Sequence, residues 1–511
     1  KAAQLFKKLY DKSPFNTTYL GRLISCYQET NLFDKAQELL EKRIEVNPSQ
    51  SYLYVYLGQN YDKQQLKEQA NKYYEKAIKS LDKSTTYAGV IARLFKEYTL
   101  LDLAIISYQK AMANNENVNY NFQIAQIYGE KGEFEKMFDA FIDLVDQNKN
   151  YFNLVQRYAS RYITDDGENE TNIFFRKSLL KKSASNPKDI WNLLLSWLFA
   201  QQKDYTKAFI QEKALYQRTP DDLSAIFSLG KIAFENKDYV AAETCFNFIK
   251  ENTLITEEKI DSNLYLIKIA VAIKNPKTEE LFKNLFILFG KNASTIKLQI
   301  EFADYLTFSK NRPEEAKKVL EEAIKYTNSK FTKARIKLKL GDVLVFTGRF
   351  NKALIYFSQI QTQLKNSDLA QEARFKVAQT SYFKGDFTWA KAQLKVLKGS
   401  TTQLIANDAV DLFLLISDNE PLDSVPSGLK EYANADVLSY QNKNKEAINH
   451  ILRVGSGLDS QILGDFEIIS QIKVSARQSK KQGLLNSFTE RLINSVIQAS
   501  KRIKTETELS S

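Results

Sequence analysis

Proline, glycine, cysteine and histidine are all scarce in this chain of 511 residues. Eight prolines and 17 glycines are too few to punctuate the many tight turns of a sheet protein. One histidine, His450, and two cysteines, Cys26 and Cys245, leave no His/Cys set with metal-ligand spacing. The cysteines lie more than 200 residues apart at helical phases, so they read as small buried side chains rather than a disulfide. No run of about 20 uncharged apolar residues occurs, which excludes a membrane-spanning helix; the most apolar stretch, 285–289, is far too short.

Chemistry is equally thin. His450 sits on a helical pattern beside Ile451 and Leu452, with no nucleophile next to it in sequence. The Gly455-Ser456-Gly457 turn lacks the spacing and the following lysine of a phosphate-binding loop. Acidic pairs such as Asp165-Asp166 and Asp221-Asp222 fit helix N-termini and turns, where backbone N–H groups favour them. The expectation is therefore no catalytic residue, no cofactor, no metal and no enzyme.

What the chain has in abundance is a period. Alanine recurs at Ala2, Ala36, Ala70 and Ala104, each step 34 residues. Pro14 and Pro48 keep the same step, as do Tyr27, Tyr61 and Phe95, and Ile24, Gly58 and Ala92. Small residues at two phases of a fixed period are what stacked helix pairs require: Gly58 and Ala70 let helices approach, while Tyr61 and Tyr74 fill the space between. The step returns at Lys203-Asp204-Tyr205 and Lys237-Asp238-Tyr239, and at Ala208 and Ala242. It then lengthens to 37 at Ala316, Ala353 and Ala390, at Gly341 and Ala378, and at Gly348 and Gly385.

Lapses in the period suggest an organisation. Residues 1–145 form a 34-residue block that begins in the middle of a unit, because Ala2, Phe6, Leu9 and Pro14 occupy second-helix phases; further sequence upstream is expected. Residues 146–250 hold atypical helices followed by two regular units. Residues 251–300 read as an irregular helical segment and a candidate bend, and 301–400 as the 37-residue units. Residues 401–511 read as degenerate pairs and a C-terminal cap, with a turn-rich loop over 419–428 and a polar tail.

The charge balance is basic, with 72 Lys and Arg against 61 Asp and Glu, a net +11. It concentrates in two places. One contains Arg176, Lys177, Lys181, Lys182 and Lys188. The other contains Lys473, Arg477, Lys480, Lys481, Arg491, Lys501, Arg502 and Lys504. Such surfaces serve nucleic acid, anionic lipid or acidic proteins, or simply keep a helical surface solvated, and solvation is the favoured reading.

On the residues Gly58, Tyr61, Ala70, Tyr74 and Ala77, repeated at Ala92, Phe95, Ala104, Tyr108 and Ala111, the chain resembles the tetratricopeptide repeat family. The resemblance implies an all-α fold, an α-solenoid (right-handed superhelix) of stacked TPR-like helix pairs. It also implies that first helices line a concave groove, which makes Tyr52, Gln59, Lys63, Arg93, Lys96, Lys231, Arg335, Asp342, Gln379 and Tyr382 candidate partner-binding residues. The positions that would form a carboxylate clamp hold Gly21, Ser25, Tyr56, Thr86 and Val90, and none matches. The 37-residue units and the Lys-, Asn-, Ile- and Tyr-rich texture resemble exported, periplasmic repeat proteins of Bacteroidota. Helical glycan binders from the same bacteria carry long Gly-, Trp- and Asn-rich insertions, and this chain has only 3 Trp.

The functional expectation is a non-enzymatic scaffold for protein–protein interaction in an outer-membrane assembly, secretion or gliding complex. Its compartment would be the periplasm, or alternatively the cytoplasm. Its partners would be proteins, with no small-molecule substrate and with nucleic acid unlikely. The alternative is a basic helical repeat that binds nucleic acid.

Overall fold

The computed structural model describes residues 1–220, 222–399, 403–419, 429–458, 466–481 and 487–507. Among the described residues the chain is an all-α solenoid of antiparallel helix pairs, with 28 α-helices and no strand. It divides into two compact units, Lys1–Cys245 and Phe246–Ser511. The loop expected over 420–428 and the last four residues lie outside the described residues.

The two helices of a pair bury different amounts of surface. Second helices bury one narrow stripe: Ala70, Tyr74 and Ala77 on Lys67–Ser80, and Ala353, Phe357 and Ile360 on Phe350–Gln363. First helices are sandwiched between their own partner and neighbouring pairs, so they are buried almost all round. Leu53–Lys63 buries Leu53 and the whole run from Val55 to Asn60. Lys330–Phe346 likewise buries Gly341, Asp342 and every residue from Val343 to Phe346.

Small residues set the helix spacing. A Cβ built on Gly58 would lie 2.3 Å from Tyr74 Cε1, and one on Gly341 would lie 2.2 Å from Phe357 Cε1. The aromatic ring of the second helix thus occupies the volume that a side chain on the first would need. Ala36, Ala70, Ala104, Ala316, Ala353 and Ala390 are at most 1% exposed, as close packing at the other phase requires.

The turn within a pair also repeats, and it records the period in the backbone. First helices of the regular pairs end on a residue in the left-handed region, and the next N–H reaches back five residues to a first-helix carbonyl. Leu66 N–H bonds Tyr61 O at 3.0 Å past Gln65 (φ 63°), and Asp204 N–H bonds Phe199 O at 2.9 Å past Lys203 (φ 59°). Arg349 N–H bonds Leu344 O at 2.7 Å past Gly348 (φ 74°). Left-handed residues stand at 31, 65 and 99, then 203 and 237, spaced by 34. From 237 they continue at 274, 311, 348 and 385, spaced by 37. The segment 251–300, where the side-chain signature lapses, therefore keeps the same turn and the longer step. Between 146 and 188 the pairing is replaced by a short helix, Phe152–Ala159, and a longer one, Glu170–Ser185. Fully buried Asn172 holds the loop between them, donating to Thr164 O at 2.8 Å and Asp166 O at 2.6 Å.

Both cysteines are free. Burial pushes the Cys245 thiol up to about 12, which keeps it protonated and unreactive.

Two kinds of substitution test this construction principle in opposite directions. Gly58→Ala or Gly341→Ala forces an aromatic ring out of its place and should lower stability by about 1–3 kcal/mol. Thr99→Gly relieves a β-branched residue at φ 60° and should raise stability by roughly 1 kcal/mol. Urea midpoints of the purified variants at constant m-value check both signs.

Candidate functional site

The sandwiching of first helices decides the fate of the groove residues. In the first unit Tyr52 and Gln59 are 2% and 8% exposed and are committed to packing. The Tyr52 hydroxyl donates to Gln50 at 3.2 Å, and Gln59 accepts from the Tyr74 hydroxyl at 3.1 Å. Lys63 pairs with Glu29 at 3.4 Å and Lys96 with Glu130 at 2.7 Å, each linking a first helix to its neighbour. Lys231 is half-buried. Arg93, paired with Glu97 at 3.7 Å, faces a cavity of about 410 Å³ with Arg22, Tyr56 and Tyr98. Burial in its wall pushes the Tyr56 hydroxyl up to about 12.

In the second unit Arg335 is exposed, whereas Asp342 is 7% exposed and held by Lys376 at 3.0 Å and Lys339 at 3.5 Å. Lys339 continues to Asp304 at 2.6 Å, so charges alternate from one first helix to the next. Gln379 and Tyr382 come together in the wall of a cavity of about 400 Å³. Three aspartates that the periodic reading passed over, Asp408, Asp411 and Asp436, join them there. Their available signal was the i, i+3 spacing of Asp408 and Asp411, which places both on one helix face.

The two basic segments separate clearly. Lys182 reaches Asp143 at 3.0 Å and Asp146 at 2.8 Å, Lys188 also pairs with Asp146, and Lys177 reaches Glu135 at 3.4 Å. Although burial pushes the Asp146 carboxyl up, its two lysines prevail and hold it below the usual range. That cluster is largely matched by carboxylates of the helix Phe134–Gln147, which hold three of its five cations.

The C-terminal cluster is not. Over 466–507 eight Lys and Arg stand against three acidic residues. Helices Phe466–Lys481 and Ser487–Thr507 flank a cleft of about 210 Å³, lined by Lys473, Arg477 and Lys480 on one side and Glu490, Ile493, Asn494 and Ile497 on the other. Lys480 pairs with Glu490, and Arg502 with Glu506 at 2.8 Å. Lys473, Arg477 and Lys501 have no carboxylate partner among the described residues.

The Gly455-Ser456-Gly457 turn places these helices. A Cβ on Gly455 would lie 2.2 Å from Val496 Cγ1 and 3.4 Å from Ile472 Cδ1, so both following helices press on this one point. Gly457 (φ 74°) ends the helix Asn444–Gly455 in the left-handed conformation, and Leu458 N–H closes the cap on Arg453 O at 2.9 Å. Both glycines serve packing and turning. His450, on the same helix, donates from Nε2 to Glu431 O at 3.1 Å.

Residues 415–507, which contain this arrangement, match the family described as glutamyl-tRNAGlu reductase, N-terminal domain. This segment is similar to a reductase domain. The glutamyl-tRNA reductase of Christiangramia forsetii is 68% identical over 75 residues, 15% of this chain and 18% of that protein. That of Flavobacterium psychrophilum is 68% identical over 74 residues, 14% and 18% of the two chains. The Sulfolobus acidocaldarius enzyme is 35% identical over 103 residues, 20% and 25%. The chain thus spans about a fifth of the length of these curated relatives. Among solved structures, yeast Tom70 aligns over 84% of this chain and 95% of its own, at 14% identity and a TM-score of 0.36. The Cut9–Hcn1 assembly aligns over 81% and 92%, at 13% identity and 0.31. At scores this low, the repeat architecture rests on this chain's own turns and close approaches.

These relatives correct the functional expectation. A non-enzymatic scaffold of an outer-membrane, secretion or gliding complex is overturned by a segment so similar to named reductases. So are the expectations of no enzyme and no small-molecule substrate, and the expectation that nucleic acid is an unlikely partner. The physical reason is plain. Repeat spacing reports helix packing and is silent on chemistry, so a segment with one degenerate pair, turning at Asn442 (φ 59°), and two further helices read as an inert cap.

Gly455→Ala should separate packing from chemistry at this turn. The added methyl collides with Val496 and should lower the stability of the C-terminal helices by about 1–3 kcal/mol. Hydrogen exchange of the helix Ser487–Thr507 should accelerate, while amides of the first unit stay unchanged.

Proposed function

We propose that residues 415–507 serve a glutamyl-tRNA reductase reaction and that their contribution is to hold the tRNA. The observation that carries this reading is the cationic, incompletely paired helix pair Phe466–Lys481 and Ser487–Thr507, inside the residues 415–507 that match the family described as glutamyl-tRNAGlu reductase, N-terminal domain. A tRNA is a polyanion, and Lys and Arg side chains gain affinity from its phosphates by displacing condensed counterions. Lys473 and Arg477 are one turn apart on one helix, so their charges can meet adjacent phosphates. Ile493 and Ile497 give the cleft an apolar floor, leaving the cations as the groups that select a ligand.

The reading accounts for where the charge lies. In the cluster at 176–188, Lys177, Lys182 and Lys188 already hold carboxylates and can offer little to a phosphate backbone. At the C-terminal cluster the same residue types stand with fewer acidic partners.

Fluorescence anisotropy with labelled tRNA across a salt series tests it on the whole chain. The logarithm of affinity should fall steeply and linearly with the logarithm of salt. Reversing both Lys473 and Arg477 to Glu should flatten that slope by about two and weaken binding on the order of tenfold. Reversing Lys182 and Lys188 should leave the slope unchanged. A flat salt response, or an unchanged slope in the K473E/R477E variant, overturns the proposal.

A further inference from the structure

The N-terminal unit holds a cavity of about 410 Å³, far in sequence from the reductase-like residues 415–507. Its walls come from the first helices of three successive pairs. Thr17–Glu29 supplies Gly21, Arg22 and Ser25; Leu53–Lys63 supplies Tyr56; Ala88–Glu97 supplies Arg93, Leu94 and Glu97, with Tyr98 just beyond its end.

One polar side chain in this wall is part of the packed interior. Tyr56 is 7% exposed, and its ring stands edge-on to those of Tyr52 and Tyr98, with centroids 6.4 and 6.5 Å away. Its hydroxyl lies over Gly21 in the cavity wall: a Cβ built on Gly21 would stand 2.7 Å from the oxygen. Glycine at that position leaves the hydroxyl its place. The oxygen keeps accessible surface there and makes no hydrogen bond with any described residue. Burial keeps it protonated and therefore a donor. A nearly enclosed O–H without an acceptor is a hydrogen bond left unmade, and a ligand oxygen that accepts from it restores the bond.

The charge around that hydroxyl is positive. Arg22 is exposed and pairs with no carboxylate among the described residues. Arg93 meets Glu97 one turn along its own helix at 3.7 Å, an exposed contact of the kind that contributes little and that an incoming anion can displace. The side-chain hydroxyls of Thr17, Thr18 and Ser25 also line the cavity. The backbone N–H groups of Thr18 and Tyr19 are already taken by the Asn16 side chain, so the side chains are the donors on offer.

The donor inventory selects the kind of anion. Two guanidinium forks by themselves saturate the lone pairs of a carboxylate, which would leave the Tyr56 hydroxyl still without an acceptor. A phosphate monoester presents three terminal oxygens and about two negative charges, so it can take both guanidiniums and accept from Tyr56 as well. The volume suits a small organic molecule, and Leu94 with the Tyr98 ring offers it apolar surface.

We propose that this cavity binds a small phosphate monoester, its phosphoryl oxygens accepting from Arg22, Arg93 and the Tyr56 hydroxyl and its organic part lying against Leu94 and Tyr98. The site is independent of the tRNA reading, since no residue of one belongs to the other.

Calorimetric titration of the whole chain with phenyl phosphate tests it, with benzoate as the carboxylate on the same ring and inorganic phosphate as the bare group. Phenyl phosphate should bind at one site and on the order of tenfold more tightly than either. Arg22→Gln and Arg93→Gln, both at exposed positions, should each weaken it on the order of tenfold. Tyr56→Phe should weaken it several-fold without lowering the urea midpoint of the unliganded chain, because the hydroxyl it removes has no partner to lose. Absence of saturable phenyl phosphate binding overturns the proposal, as does equal affinity in the wild type and the two arginine variants. Benzoate binding as tightly as phenyl phosphate also overturns it. Loss of phenyl phosphate binding in the K473E/R477E variant would move the site to the C-terminal cleft, against the proposal. An acidic peptide that binds through Arg22 and Arg93 where phenyl phosphate does not would assign the cavity to a protein partner, and that result overturns it too.

Discussion

The contact between a small residue on a first helix and an aromatic ring on its second helix is what the rest of this structure depends on. Gly58 against Tyr74 and Gly341 against Phe357 bring two helices closer than any side chain at those glycines would permit. Once the pair is that close, only a short turn joins it, and the left-handed residue with its five-residue hydrogen bond is the turn that fits. The strain of placing Gln65, Thr99, Lys203 and Lys237 in that region is offset by the packing on either side. The same logic ends the helix Asn444–Gly455, where Gly455 admits Val496 and Gly457 turns the chain.

Close packing also distributes the charge. Where a first helix buries a charge it supplies partners, so Asp342 is held by Lys339 and Lys376 in the second unit. The C-terminal helix pair differs: Lys473 and Arg477 line its cleft and hold no carboxylate among the described residues.

Much of the fold was legible in the sequence because packing at fixed spacing leaves a periodic trace. Ala36, Ala70 and Ala104 announced the buried stripe, and Gly341 with Ala378 the longer step. The trace failed where the turn persisted without the small residues: Lys274 keeps the left-handed backbone within 251–300, and its residue type does not signal it. The groove residues fared unevenly for a related reason. A phase on a helix wheel cannot say how many neighbours press on it, so Tyr52 and Gln59 proved buried while Arg93, Gln379 and Tyr382 came to line cavities. The function was misread because spacing describes architecture and carries no chemistry, even within the residues 415–507 that are similar to reductases.

The sequence by itself determined the helix pairs, their period, the scarcity of metal-binding and nucleophilic side chains, and the clustering of basic residues at 176–188 and 473–504. Those properties are local: spacing and composition act within a few residues of one another. Only the tertiary structure decided which basic cluster keeps its charge, because the carboxylates that quench Lys182 and Lys188 come from residues about 40 positions away. It alone set the Tyr382 hydroxyl against Asp436 and near Asp408 and Asp411, on three different helices. Charge and hydrogen bonding are settled by whatever lies across a few ångströms of space, and in stacked helices that neighbour is seldom the next residue along the chain.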